Sequence, residues 1–161
     1  MKSPIQRRVA IAALLLAPAL TACGFNEQTD QVYQAGVGVN DRSDTVYILN
    51  AVVVTAVDGS GTFAGTLVNT DTTTDDTLDS VSGPGITAAP GSVDVPAGGN
   101  ARLAESGDIS LEGAGITPGT YVQLTFGFSS GQTTTMKVPV VAAAGDYTDV
   151  PLPSSSPTES E

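Results

Sequence analysis

"YVQLTFGFSSGQTTTMKVPVV", Tyr121 to Val141, decides the fold. In its first half Val122, Leu124, Phe126 and Phe128 fall on one side of an extended chain. Tyr121, Gln123, Thr125 and Gly127 fall on the other. In its second half Met136, Val138 and Val140 alternate with Thr135, Lys137 and Pro139. A period of two places one apolar face on each strand. Ser129-Ser130-Gly131-Gln132 between them is a turn signal, so the stretch predicts a β-hairpin. Pro139 has no N–H to donate, which predicts that its strand is an edge or pairs on one side only.

Working outward, other β-type segments alternate with turn clusters. "TVYILNAVVVTAV", Thr45 to Val57, is rich in β-branched residues and apolar on both faces. Thr62 to Asn69 reads as a second strand. Shorter candidates are Thr77 to Ser82, Gly91 to Val95, Ala101 to Ala104 and Asp108 to Glu112. No segment keeps a 3.6-residue period over three turns. This pattern predicts an all-β domain, an antiparallel β-sandwich of about seven strands and about 100 residues, over residues 44–144.

The flanks differ in composition. Residues 23–43 are polar and glycine-containing and read as a tether. Residues 145–161 carry prolines, a serine cluster and terminal acids, and read as a disordered acidic tail. Residues 1–22 hold Lys2, Arg7 and Arg8, then the apolar run Val9 to Leu20. That run is shorter than the about 20 apolar residues a spanning helix needs, and its layout is that of an export signal.

Leu20-Thr21-Ala22-Cys23 sharpens that reading, because it resembles the lipobox of bacterial lipoproteins: an aliphatic residue, two small ones, then cysteine. The resemblance implies cleavage between Ala22 and Cys23 and acylation of the Cys23 sulfur. Its partner is then the lipid bilayer, and the chain is expected on the extracytoplasmic face of the cell membrane. Cys23 is the only cysteine, so an internal disulfide cannot form.

Composition narrows function. Six Lys and Arg face 17 Asp and Glu, for a net charge of −11. Beyond residue 22 the basic residues are Arg42, Arg102 and Lys137. Such a chain repels phosphate backbones, so nucleic acid is not expected as a partner. Without histidine there is no Ser-His or Cys-His pair, and no paired carboxylates sit in an aromatic-lined setting; the sequence points away from an enzyme. Asp71, Asp75, Asp76 and Asp79 cluster in "NTDTTTDDTLD". Their spacing departs from the calcium loop D-x-[DN]-x-[DN]-G, and Asp and Thr there suit a turn that caps backbone N–H groups.

The order of the segments resembles the periplasmic copper chaperones of the PCuAC family across residues 45–141. The matching pieces are Asn69, Asp76 or a neighbouring residue, Leu78, Val81 and Ser82 in "GTFAGTLVNTDTTTDDTLDSVSGPG", the turn in "VPAGGNARL", and "PGTYVQLTFGFSSGQTTTMKVPV". The likeness is nearest to actinobacterial lipoproteins of this type. It implies a cupredoxin-like β-sandwich. It also implies Cu(I) ligands, His and Met, from two places. At one of these, the step after the Pro-Ala-Gly-Gly turn, Asp108 stands for the His and Ser110 for the Met. At the other, only "GITAAPGS" fills the space. Met136 falls on an apolar face as a core residue. The soft donors Cu(I) favours are missing, so no metal or other cofactor is expected. The expected role is non-catalytic: binding or presenting an envelope protein, or supporting an envelope assembly. Metal handling in the manner of the family is the alternative.

Overall fold

A computed structural model describes residues 37–89 and 91–153. Among these, ten strands follow in order: β1 (Val39–Asp41), β2 (Val46–Val57), β3 (Ser60–Asn69), β4 (Asp76–Gly83), β5 (Ile86–Ala88), β6 (Val93–Val95), β7 (Asn100–Arg102), β8 (Ser110–Glu112), β9 (Tyr121–Phe128) and β10 (Thr133–Ala142). A single-turn helix, α1 (Leu103–Ser106), lies between β7 and β8, and a 3-10 turn spans Gly145–Tyr147. The all-β expectation holds.

The sheet differs from the expected sandwich. Hydrogen-bonded neighbours run β2-β10-β9-β4-β5-β8-β3, and β3 pairs back onto β2. These seven strands form a closed ring, a barrel without free edges in its main wall. The remaining strands are appended, β1 on β2, β6 on β4 and β7 on β3. Closure depends on one parallel pair, Val140–Ala142 of β10 beside Val53–Thr55 of β2, so the sheet is not wholly antiparallel. A parallel contact needs a long connection and leaves no turn signal, which is why local patterning did not predict it.

The hairpin behaves as its alternation predicts. Thr133 to Pro139 pair with Gly127 to Tyr121. Val122, Leu124, Phe126 and Phe128 are all buried, as are Val138 and Val140, and half-buried Met136 packs against the same core. β10 is not an edge strand, since it pairs with β9 on one side and, from Val140, with β2 on the other; Pro139 sits just before the ladder to β2 begins and is itself buried. Inside the barrel Phe63 meets Phe126 with ring centroids 5.0 Å apart.

A bulge organises β2. Leu49 pairs with Thr66 but Val52 with Ala64, so β2 carries one extra residue. Asn50 absorbs it in a left-handed conformation at φ 53°, and its N–H donates to Asn40 Oδ1 at 2.7 Å. The bulge reverses which residues face inward. Val46 and Ile48 before it, and Ala51 and Val53 after it, join the barrel core. Val52 and Val54 therefore point outward and form a second apolar cluster with Ala64.

That outer cluster explains a further departure from expectation. The packed region extends past residues 44–144 on both sides. Asp41 and Val39, placed in the tether, pair with Ile48 and Ala51. Residues 143–153, here called the strap, cross the outer face of β2 and β3. Ala143, Tyr147, Val150 and Leu152 cover Val52, Val54 and Ala64. The Thr62 hydroxyl donates to Pro151 O at 2.7 Å, and Ala143 N–H to Thr55 O at 2.8 Å. The rest of the tail, residues 154–161, lies outside the described residues. Leu103 and Ala104, read as strand, begin α1 instead, and Leu103 is buried there.

Candidate functional site

The two segments that the family resemblance marks for copper ligands do come together. Gly85, at φ 67°, turns the chain between β4 and β5. β5 then pairs with β8, Ala88 opposite Leu111, and Ala89 N–H donates to Ser110 O at 2.8 Å. Beside this pair is a shallow depression of about 140 Å³ lined by Asp79, Ser80, Val81, Ala88, Gly91 and Ile109. Asp108 is exposed and Ser110 half-buried, and neither is among the lining residues. Met136 lies on β10, separated from β5 by β9 and β4. Cu(I) favours thioether, thiolate and imidazole donors, whereas this lining offers a carboxylate, a hydroxyl and aliphatic groups. These residues do not fit that ion.

The aspartate loop between β3 and β4 is held by its own backbone. Buried Asn69 donates from Nδ2 to Thr74 O at 2.9 Å and to Val95 O at 3.2 Å, and its Oδ1 accepts Asp71 N–H at 3.0 Å. Asp71 Oδ1 accepts Thr73 N–H at 2.8 Å and the Thr73 hydroxyl at 2.6 Å. Those bonds, led by the Thr73 hydroxyl, hold the Asp71 carboxyl below its ordinary value. Asp75 Oδ1 accepts Ala97 N–H at 2.9 Å. Asp79 sits further along β4, exposed. Asp71 and Asp75 thus engage different parts of the backbone. Among the described residues, no group of three or more His, Cys, Asp or Glu is placed to hold a metal ion.

Asp76 is the exception in burial, at 5% exposure. Its Oδ1 accepts Thr77 N–H at 2.8 Å, the Ser129 hydroxyl at 2.8 Å and Ser130 N–H at 3.1 Å; its Oδ2 accepts the Ser130 hydroxyl at 2.6 Å. Burial is the largest single influence and opposes the charge. The hydrogen bonds from Ser130, Ser129 and Thr77 together outweigh it and lower the carboxyl below its usual value. The node ties the start of β4 to the β9–β10 turn. Every partner is a donor from this chain, so its chemistry is structural. The sequence placed Asp76 in the aspartate cluster and Ser129-Ser130 in a turn, and carried no signal that the two meet.

Cys23 and Ala22, the lipidation and cleavage residues expected from the sequence, lie outside the described residues.

The closed ring with its appended strands is similar in fold to PCuAC domains. No family model matches the chain, and no curated protein matches it. Among solved structures, the apo PCuAC domain from PmoF1 superposes with a TM-score of 0.56 at 14% identity, over 65% of this chain and 99% of that domain. The copper-bound PCuAC domain from PmoF2 gives 0.55 at 15% identity, over 65% and 98%. The apo PmoF2 domain gives 0.54 at 14%, over 66% and 98%. At such identities the likeness establishes the fold.

Proposed function

We propose that the chain is an extracytoplasmic lipoprotein, anchored to the cell membrane through acylated Cys23, whose barrel domain has a non-catalytic binding or structural role in the cell envelope. In this reading residues 1–22 are removed on export, and the chain from Cys23 tethers the barrel to the bilayer. Its relatives are expected among actinobacterial lipoproteins. Among the described residues no helix is long and apolar enough to cross a membrane. Two acyl chains hold a protein firmly, where one gives only marginal binding.

The observation that carries the choice of role is the donor set beside β5 and β8. The fold brings the two segments together, yet the lining is Asp79, Ser80, Val81, Ala88, Gly91 and Ile109. A barrel that keeps the architecture without soft donors is suited to recognition through its surface. Copper handling is the second reading, favoured by the likeness to a domain whose structure holds copper. It would have to rely on carboxylates or on a partner's ligands.

Anaerobic Cu(I) titration of the exported chain carrying Cys23→Ala, which removes the free thiol, separates the two. The expected result is no tight one-to-one complex. A complex of sub-micromolar affinity sinks the first reading and establishes the second. The anchor has its own test. In cells, Cys23→Ala is expected to release the protein from the membrane fraction or to leave an uncut precursor. Unchanged processing and membrane retention contradict the lipoprotein assignment.

A further inference from the structure

We propose that the groove between α1 and the strap is a binding site for a small apolar monocation, an amine carried on an aromatic or alicyclic body. The groove lies on the outer face of β2 and β3 and has a volume of about 320 Å³. That is the lower end of the range of about 300–1,000 Å³ seen for small-molecule sites. It shares no lining residue with the depression beside β5 and β8. The Cu(I) titration and the present inference are therefore decided independently.

The groove exists because of the bulge at Asn50. Reversal of the inward face turns Val52 outward, beside Ala64 and Gly65 of β3; these three are buried at the base of the groove, and half-buried Ala104, Tyr147 and Val150 supply its accessible apolar surface. Asn50 itself lines the groove and is the only non-glycine residue at positive φ among those described. Asn tolerates this left-handed conformation, which the bulge requires. Ala104 forms one wall, and Tyr147 and Val150 of the strap form the other. Tyr147 beside these apolar side chains suits a ligand with an apolar body, and aromatic rings attract cations.

Charge selects the sign of the ligand. Three ionisable groups besides Tyr147 line the groove: Arg102, Glu105 and Asp146. Arg102 Nη1 meets Glu105 Oε1 at 3.5 Å, so these two offset one another. Asp146 has no cation within ion-pair distance among the described residues. The uncompensated charge is therefore negative and stands next to Tyr147. The net charge of −11 acts in the same sense at longer range. An anion entering the groove would have to displace Glu105 from Arg102 while facing Asp146.

The test is amide NMR of the exported chain carrying Cys23→Ala, titrated with 1-naphthylmethylamine and, separately, with 1-naphthylacetate. The two probes share an apolar body and differ in charge. With the amine, shift changes should concentrate at Val52, Ala64, Gly65, Tyr147 and Val150, and the acetate should bind at least threefold more weakly. Asp146→Asn, at an exposed position, should weaken the amine about two- to fivefold, as for an exposed ion pair. Added salt should act in the same direction. Ala104→Phe, which fills the groove, should abolish the shifts at the floor. The proposal is overturned if the acetate binds as well as the amine, if the shifts scatter over the acidic loops, or if neither probe perturbs the groove at millimolar concentration. It is also overturned if Asp146→Asn leaves the amine affinity unchanged.

Discussion

Asp76 shows how one side chain fixes two distant parts of the barrel. Its carboxylate is buried, yet it stays ionised below its ordinary value of 3.8 because Ser129, Ser130 and Thr77 all donate to it. A carboxyl lowered in the folded state adds stability that is fully present above its unfolded value. That stability is lost as pH falls through the lowered folded value. Asp76→Asn keeps the shape and removes the charge. It is expected to cost about 1 to 2 kcal/mol at pH 7, the difference between charged and neutral acceptors. Urea unfolding should show that gap narrowing once the pH drops below about 3.8, the carboxylate reference range. A gap constant from pH 7 to pH 2.5 would show that charge is not what the node supplies. Gln132 works in parallel. Its amide donates to Val46 O and accepts Val46 N–H, each at 2.9 Å, and so supplies a missing rung between the starts of β10 and β2. Both contacts join residues far apart, 54 positions for Ser130 with Asp76 and 86 for Gln132 with Val46. The sequence identifies the residue types and the turn, but a side-chain bond across such a separation leaves no periodic trace.

At the scale of elements, what was legible follows length and period. β9 alternates over its eight residues and β10 over its first half, so their hairpin could be read directly, although Val138, Pro139 and Val140 are buried in succession. β1 and β5 are three residues each, too short to show a period. The strap is harder still. Tyr147, Val150 and Leu152 have irregular spacing among prolines and acids, which in composition resembles a disordered tail. Its order comes from the surface beneath it, and that surface exists only because the Asn50 bulge turned Val52 and Val54 outward. Deleting residues 145–161 should therefore uncover an apolar patch while leaving the barrel core intact. The three strap side chains are each partly buried, so the expected loss is about 2 to 4 kcal/mol from area bookkeeping. The urea midpoint should fall, and binding of the dye anilinonaphthalene sulfonate should rise, with the β-type far-UV spectrum retained. An unchanged midpoint and no added dye binding would mean that the strap does not hold the outer face.

The whole molecule combines an apolar barrel with a surface of nearly one sign. All-β class was legible from alternation. Closure was not, because the parallel contact of Val140 with Val53 that completes the ring joins strands at opposite ends of the domain sequence. The interior of that ring is built from aliphatic residues with Phe63, Phe126 and Phe128, so its cohesion is insensitive to ions. The surface is different. The one ion pair among the described residues, Arg102 with Glu105, has side chains 68% and 73% exposed, and such pairs contribute little. Seventeen Asp and Glu against six Lys and Arg leave a net charge of −11, which raises the energy of the compact state relative to the expanded chain. At low ionic strength this repulsion reaches across much of the domain, because the Debye length is about 30 Å at 0.01 M salt; at 1 M it shrinks to about 3 Å. Sodium chloride should therefore stabilise the protein. Raising it from about 0.01 M to about 0.5 M at pH 7 is expected to relieve about 1 kcal/mol and lift the melting temperature by about 4 to 8 °C, the usual conversion for a domain of roughly 100 residues. Chloride is the right anion for the measurement, since sulfate strengthens apolar burial by a separate route. A melting temperature that falls with chloride would mean that attractive pairs, not repulsion, dominate the surface. Lowering the pH toward the isoelectric point near 4.1 removes the same repulsion by protonation, so the chloride effect should shrink there. That joint dependence distinguishes screening of like charges from binding of a particular ion.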